Sequence, residues 1–289
     1  MRSKPFQALA CAARKAKTRS LISLLLALTL ASCLGLNERA IRLAQRAGLR
    51  TAVIEGIAYR HQIYFQLRSS GDSLLVFIEG DGSPWTGDGT APMRDPTPRR
   101  PLALELATRT PRSILFLGRP CYFMVHSDAA CTPRIWTSDR YSQSVVESMA
   151  AALNRFAADH DYRHTVLVGY SGGGSLAMLM APHIASITAV VTIAANLDVA
   201  AWTRWHDYLP LSGSLDPATQ APLAASIRQL HLVGGRDANV PESINDRFFS
   251  TLRPEQLLRF PGFDHVCCWV EQWADILPLI DALAITVNK

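Results

Sequence analysis

The residues best placed to do chemistry lie in Gly169-Tyr170-Ser171-Gly172-Gly173, a Gly-x-Ser-x-Gly pattern. An apolar run at 165–168 precedes it, and a helical pattern begins directly after it at Gly174. A strand that feeds a helix through so short a turn forces the serine into a strained backbone conformation, and the flanking glycines let neighbouring chains approach. The same turn leaves the N–H of Gly172 at a helix N-terminus, where it can bind developing negative charge. A serine hydroxyl is a weak nucleophile unless a base takes its proton and an acid orients that base. The run at 230–233 leads into Gly234-Gly235-Arg236-Asp237, and the run at 257–260 leads into Pro261-Gly262-Phe263-Asp264-His265. Asp237 and His265 are 28 residues apart, enough for one helix and one strand, so both are expected at the sheet edge that carries Ser171.

Other candidates fit less well. Asp264 adjoins His265 in sequence and is expected to point away from its ring, while Asp198, after a strand at 187–193, ranks second as the acid. His61, His126, His160, His164, His183, His206 and His231 lack the strand-end context, although His206 is a candidate for lining a pocket. The order Ser171, Asp237, His265 resembles that of nucleophile, acid and base in the α/β-hydrolase superfamily, and the resemblance covers nearly all of the chain beyond residue 32. It implies that Ser171 attacks, His265 takes and returns the proton, and Asp237 holds the imidazole tautomer. The loop Glu79-Gly80-Asp81-Gly82-Ser83-Pro84-Trp85 resembles the His-Gly loop of that superfamily, with Glu79 where histidine is usual. The implied oxyanion donors are the N–H groups of Gly172 and Asp81, with Gly82 the alternative to Asp81. The Asp81 carboxylate must then turn away or be paired, because a free negative charge beside an oxyanion raises the barrier. Gly118-Arg119-Pro120-Cys121 and the segment from Trp136 to Tyr141 extend the likeness to exported bacterial members and are expected to wall the site.

These residues need a sheet to hold them. Short apolar runs at 74–78, 113–117, 165–168, 187–193 and 230–233, and a weaker one at 257–260, read as strands buried on both faces. Runs at 53–59 and 62–67 read as a leading hairpin turning around Arg60-His61. Helical patterns at 101–109, 141–159, 173–183, 241–251 and 269–284 alternate with the runs. The alternation predicts a three-layer α/β-hydrolase fold, with a mostly parallel eight-stranded sheet whose second strand is antiparallel and helices on both faces. Residues 196–226, with Trp202, Trp205, His206 and Tyr208, are too long and aromatic for a simple connector and are expected to form a small cap. Trp85, Trp202 and Trp205 are the expected substrate contacts.

The N-terminus changes how the bulk properties read. Arg2, Lys4, Arg14, Lys15, Lys17 and Arg19 precede an apolar run from Leu21 to Ala31, the order of a secretory signal and too short for a transmembrane helix, which needs about 20 residues. Leu30-Ala31-Ser32-Cys33 resembles a bacterial lipobox, implying a signal peptide over 1–32, lipidation of Cys33 and one domain over 33–289. Leu34 in place of aspartate implies an outer-membrane anchor facing the periplasm. Formal net charge is +5, but removal of those six basic residues leaves 23 Lys plus Arg against 24 Asp plus Glu. Nucleic-acid binding thus loses its compositional support. In an oxidising compartment Cys121 and Cys131 are expected to pair across their loop, and the adjacent Cys267 and Cys268 to remain buried thiols, a strained vicinal disulfide being the alternative.

The expected activity is hydrolysis of a small-molecule or lipid-like carboxylic ester through an acyl-serine, without organic cofactor; the cysteines lack zinc-ligand spacing, so no metal is expected. An envelope peptidase or amidase, and a non-catalytic lipoprotein binding module, are the alternatives on the same fold.

Overall fold

A computed structural model of the chain describes residues 36–68, 73–123 and 130–285. The signal segment, Cys33 and His126 lie outside the described residues.

Eight strands form one sheet in the order β1-β2-β4-β3-β5-β6-β7-β8. They are β1 (Arg50–Glu55), β2 (Arg60–Gln66), β3 (Ser73–Ile78), β4 (Ile114–Leu117), β5 (His164–Tyr170), β6 (Ile187–Ile193), β7 (Arg228–Gly234) and β8 (Leu257–Phe260). Only β2 runs against the others: it pairs antiparallel with β1 and with β4, and the pairings from β4 through β8 are parallel. The helices are α1 (Leu36–Arg46), α2 (Leu102–Thr108), α3 (Gln143–Asp159), α4 (Gly172–Met180), α5 (Val199–Trp205), α6 (Asp246–Phe249) and α7 (Trp273–Ile285).

The burial pattern follows from the sequence. Successive strand residues point to opposite faces, so a strand buried at every residue has both faces covered. All four residues of β4, and Leu74 to Ile78 of β3, are buried, whereas β1 at the sheet edge is almost wholly exposed. In α3 the buried Val145, Val146, Met149, Ala152, Leu153 and Phe156 recur at three- and four-residue spacing, the stripe a helix lays on a core. Trp269, Trp273, Tyr64, Phe77, Phe116 and Phe123 are among the largest fully buried side chains.

The expected three-layer architecture is the one observed, with local corrections. The leading hairpin turns at 56–59 and not at Arg60-His61, because Glu55 pairs with Arg60 and Ile54 with His61. His61 is buried between the Gly118 carbonyl and Ser148 Oγ, both 3.0 Å away, which draws it into the strand. The helix expected over 173–183 stops at Met180, where Pro182 tightens the chain into a 3₁₀ turn. The pattern at 241–251 is a 3₁₀ turn followed by the short α6. Cys121 and Cys131 are bonded, as expected. Cys267 and Cys268 are not buried thiols: they are part-exposed and bonded to each other. They lie next to a surface turn where Asp264 Oδ1 accepts the N–H groups of Val266 and Cys267.

Candidate active site

Ser171 sits between β5 and α4 at φ 52°, ψ −125°, in left-handed space that non-glycine residues rarely occupy. Such a conformation costs on the order of 1–3 kcal/mol and persists only where surroundings enforce it. Here the Ser171 N–H donates to the Ile193 carbonyl at the end of β6, and the Ser171 carbonyl accepts from Gly174 N–H. The turn is thereby fixed at the carboxyl ends of two central strands.

Asp237 and His265 reach Ser171 from the ends of β7 and β8. His265 Nδ1 lies 2.8 Å from Asp237 Oδ2, and His265 Nε2 lies 3.2 Å from Ser171 Oγ. The buried Asp237 keeps its other oxygen for the N–H groups of Asn239 and Val240, at 2.9 and 2.8 Å. Tyr170 holds the His265 loop by donating its hydroxyl to the His265 carbonyl at 3.1 Å, with the two rings 5.3 Å apart. Asp198, the second-ranked acid, instead caps α5 by accepting Ala201 N–H at 2.7 Å. Asp264 is taken up in its own turn, as its position beside His265 implied.

The loop after β3 approaches the serine from the other side. A Cβ built on Gly80 would stand 3.2 Å from Ser171 Cβ, a contact tight enough that a side chain there would press on the nucleophile. Among the described residues the N–H groups of Asp81 and Gly172 donate to no protein acceptor, which leaves both free for a ligand. The Asp81 carboxylate is paired. Arg119 Nη1 and Arg140 Nη1 bind its two oxygens at 2.5 and 2.8 Å, and Tyr141 donates its hydroxyl to it at 2.7 Å. Both arginines are buried, and Arg119 also stacks over the Tyr122 and Tyr141 rings. Burial opposes ionisation of Asp81, but the Arg140 and Arg119 charges outweigh it and hold the carboxyl far below its usual range. Tyr122 completes the loop by donating its hydroxyl to the Asp81 carbonyl at 2.9 Å.

Glu79, one residue before Gly80, takes no part in that clamp. Its carboxyl accepts N–H groups of Gly80 and of Ala103 and Leu104 in the first turn of α2. Complete burial raises its pKa to about 7 against those bonds.

The three tryptophans expected at the substrate differ in placement. Trp85 is 42 % exposed on the Asp81 loop and Trp205 is 59 % exposed on α5. Trp202 is buried against Val240 and Ile244 and donates its Nε1–H to the Asn239 carbonyl at 3.1 Å. His206 Nε2 also reaches that carbonyl, at 2.7 Å. The 196–226 segment is the short α5, a 3₁₀ turn at Pro217–Thr219 and irregular chain, strapped down by Asp216, which accepts the N–H groups of Val199 and Ala200. A separate cavity of about 290 Å³, lined by Met178, Leu179, Leu223, Phe248 and Leu252 among others, includes no residue of the Ser171 cluster.

Sequence reasoning missed the chemistry of Arg119, Arg140 and Tyr141. It singled out their segments and required a partner for Asp81, yet assigned them no charge to neutralise. Asn239 was missed entirely; no pattern in the sequence marks it.

No family model and no curated protein matches the chain. Solved structures do. A membrane phospholipase A described as a bacterial virulence factor superposes at TM-score 0.56 with 15 % identity, over 92 % of this chain and 99 % of that one. A puromycin-hydrolysing peptidase of Mycobacterium tuberculosis gives 0.60 at 15 % identity, over 82 % of this chain but 39 % of that one. An α/β serine hydrolase without a lid from Xanthomonas campestris gives 0.50 at 12 %, over 81 % and 93 %. The chain has the α/β-hydrolase fold.

Proposed function

We propose that the protein is a serine hydrolase that cleaves a carboxylic ester through an acyl-Ser171 intermediate. The observation that carries this reading is the continuous contact from Asp237 through His265 to a strained Ser171, each member delivered by a different strand end. In the proposed reaction His265 Nε2 accepts the Ser171 proton as Oγ attacks the carbonyl carbon. Asp237 keeps Nδ1 protonated and stabilises the imidazolium. The N–H groups of Gly172 and Asp81 bind the tetrahedral oxyanion, and the imidazolium then protonates the leaving alcohol. Water, activated by the same imidazole, releases the acid.

The Asp81 pairing supports the reading. Two buried guanidinium groups against one carboxylate, beside a Glu79 held largely neutral at acidic pH by burial, leave the ground beneath the oxyanion position net positive. Exposed Trp85 and Trp205 favour a partly apolar substrate. A fluorophosphonate probe tests the class: intact protein should label and Ser171→Ala should not, and equal labelling of the two sinks the assignment. Matched ester and anilide substrates then separate an esterase from a peptidase or amidase.

The cellular setting is part of the proposal. The signal-like residues 1–32 and the lipobox-like Leu30-Ala31-Ser32-Cys33 support an envelope protein anchored to the membrane through lipidated Cys33, on the periplasmic side of the outer membrane. Radiolabelled palmitate should enter the wild-type chain and be lost in Cys33→Ala; persistence of the label defeats the anchor.

A further inference from the structure

We infer that Asn239 is a positioning residue that competes with Ser171 for the His265 base and couples that competition to the seating of α5. The inference rests on the serine-hydrolase reading above. With Nδ1–H given to Asp237, a neutral imidazole has a single acceptor lone pair, on Nε2. Two donors reach it: the Ser171 hydroxyl at 3.2 Å and the Asn239 side-chain amide Nδ2 at 3.0 Å. The amide must present its N–H₂ end there, because its oxygen would face a lone pair.

One lone pair makes one well-directed hydrogen bond, so the two donors exclude each other. Once the Ser171 proton has moved to Nε2 the lone pair is gone, and the Asn239 N–H faces another N–H. The contact is therefore made before proton transfer and lost during it. An interaction stronger in the ground state than in the transition state slows the chemical step.

The backbone of Asn239 fixes where the amide can point. Its N–H donates to Asp237 Oδ1, and its carbonyl accepts from Trp202 Nε1 on α5 and is contacted by His206 Nε2 at the end of that helix. The side chain is not needed for any of these, so replacing it leaves the Asp237 loop and α5 tied together. Loss of the Trp202 donor, by contrast, loosens the amide without touching Ser171, Asp237 or His265.

The test measures the second-order rate of fluorophosphonate acylation at fixed pH in wild type, Asn239→Leu and Trp202→Phe. Removal of one neutral competing hydrogen bond is expected to raise the rate on the order of threefold to tenfold in Asn239→Leu, with a smaller rise in Trp202→Phe. A residue that merely supports the fold would lower it. Independently, the ¹⁵N resonance of His265 Nε2 should move downfield between Ser171→Ala and the Ser171→Ala, Asn239→Leu double variant, as the last donor leaves the lone pair. Asn239→Leu labelling at or below the wild-type rate, or an unmoved Nε2 resonance, overturns the competition. A Trp202→Phe rate equal to wild type overturns the coupling to α5. Wild-type protein that does not label overturns the hydrolase reading itself.

Discussion

Gly172 and the Asp81 carboxylate share one space. A Cβ on Gly172 would collide with Asp81 Oδ1 and with the Tyr141 hydroxyl bound to it. The residue after Ser171 must be glycine because the oxyanion loop turns its carboxylate back against the first turn of α4. Gly172→Ala is expected to push the two elements apart and displace both oxyanion donors. Loss of one such donor costs about 10²- to 10³-fold in turnover, and a loss of at least that size in kcat on a chromogenic ester, with the far-ultraviolet circular dichroism retained, is the expected result.

The same carboxylate is the counter-charge of two buried arginines. Asp81→Asn keeps the shape but leaves the buried Arg119 and Arg140 without the carboxylate that pairs them. Breaking a buried pair from one side costs about 3–5 kcal/mol. Urea denaturation should show a fall of that order, and a variant as stable as wild type would remove the clamp from the account.

Asp237 and Asp198 both follow sheet strands, and only Asp237 touches His265. Asp237→Asn is expected to lower kcat about 10⁴-fold, since the imidazole loses the acceptor that fixes its tautomer. Asp198→Asn should keep turnover within a few-fold of wild type and cost at most about 1 kcal/mol as a weakened helix cap. The reverse ranking in steady-state kinetics would move the acid to β6.

Glu79 gives the protein a pH signature. Burial raises its pKa from 4.5 to about 7, so the fold favours the protonated carboxyl. Its contribution to stability is complete below the ordinary carboxylate range and is lost as pH rises through about 7, a change on the order of 3 kcal/mol. Buried His61 and His231, with pKa values lowered to about 4 and about 3, act in the opposite sense as pH falls below 6.5. They are common to wild type and Glu79→Gln and cancel in the difference. The wild-type midpoint minus that of Glu79→Gln should therefore fall as pH rises from 4.5 to 7.5; a difference that stays constant with pH would refute this origin.

Much of the fold was legible because the signals are local. The runs that became β3, β4, β5 and β6 are short and mostly apolar, and a strand buried on both faces admits few polar residues to blur it, Thr165 in β5 and Thr192 in β6 being buried exceptions. The turn at Arg60-His61 was misplaced because the burial of His61 depends on Gly118 and Ser148, residues far away in the chain. The state of Cys267 and Cys268 escaped for a related reason. Adjacent cysteines look alike in sequence whether or not the surface turn beside Asp264 brings their sulfurs together.

The sequence by itself determined the order of strand ends and which chemistry-bearing side chain each one carries: Ser171, Asp237 and His265 follow from hydrophobic periodicity and turn chemistry, which act over a few residues. Tertiary structure alone decided what those side chains meet. Arg119 and Arg140 lie 38 and 59 residues from Asp81, and Asn239 lies 26 from His265. Such pairings carry no period or spacing, because a buried charge or a lone pair is satisfied by whichever partner packing brings within hydrogen-bond distance.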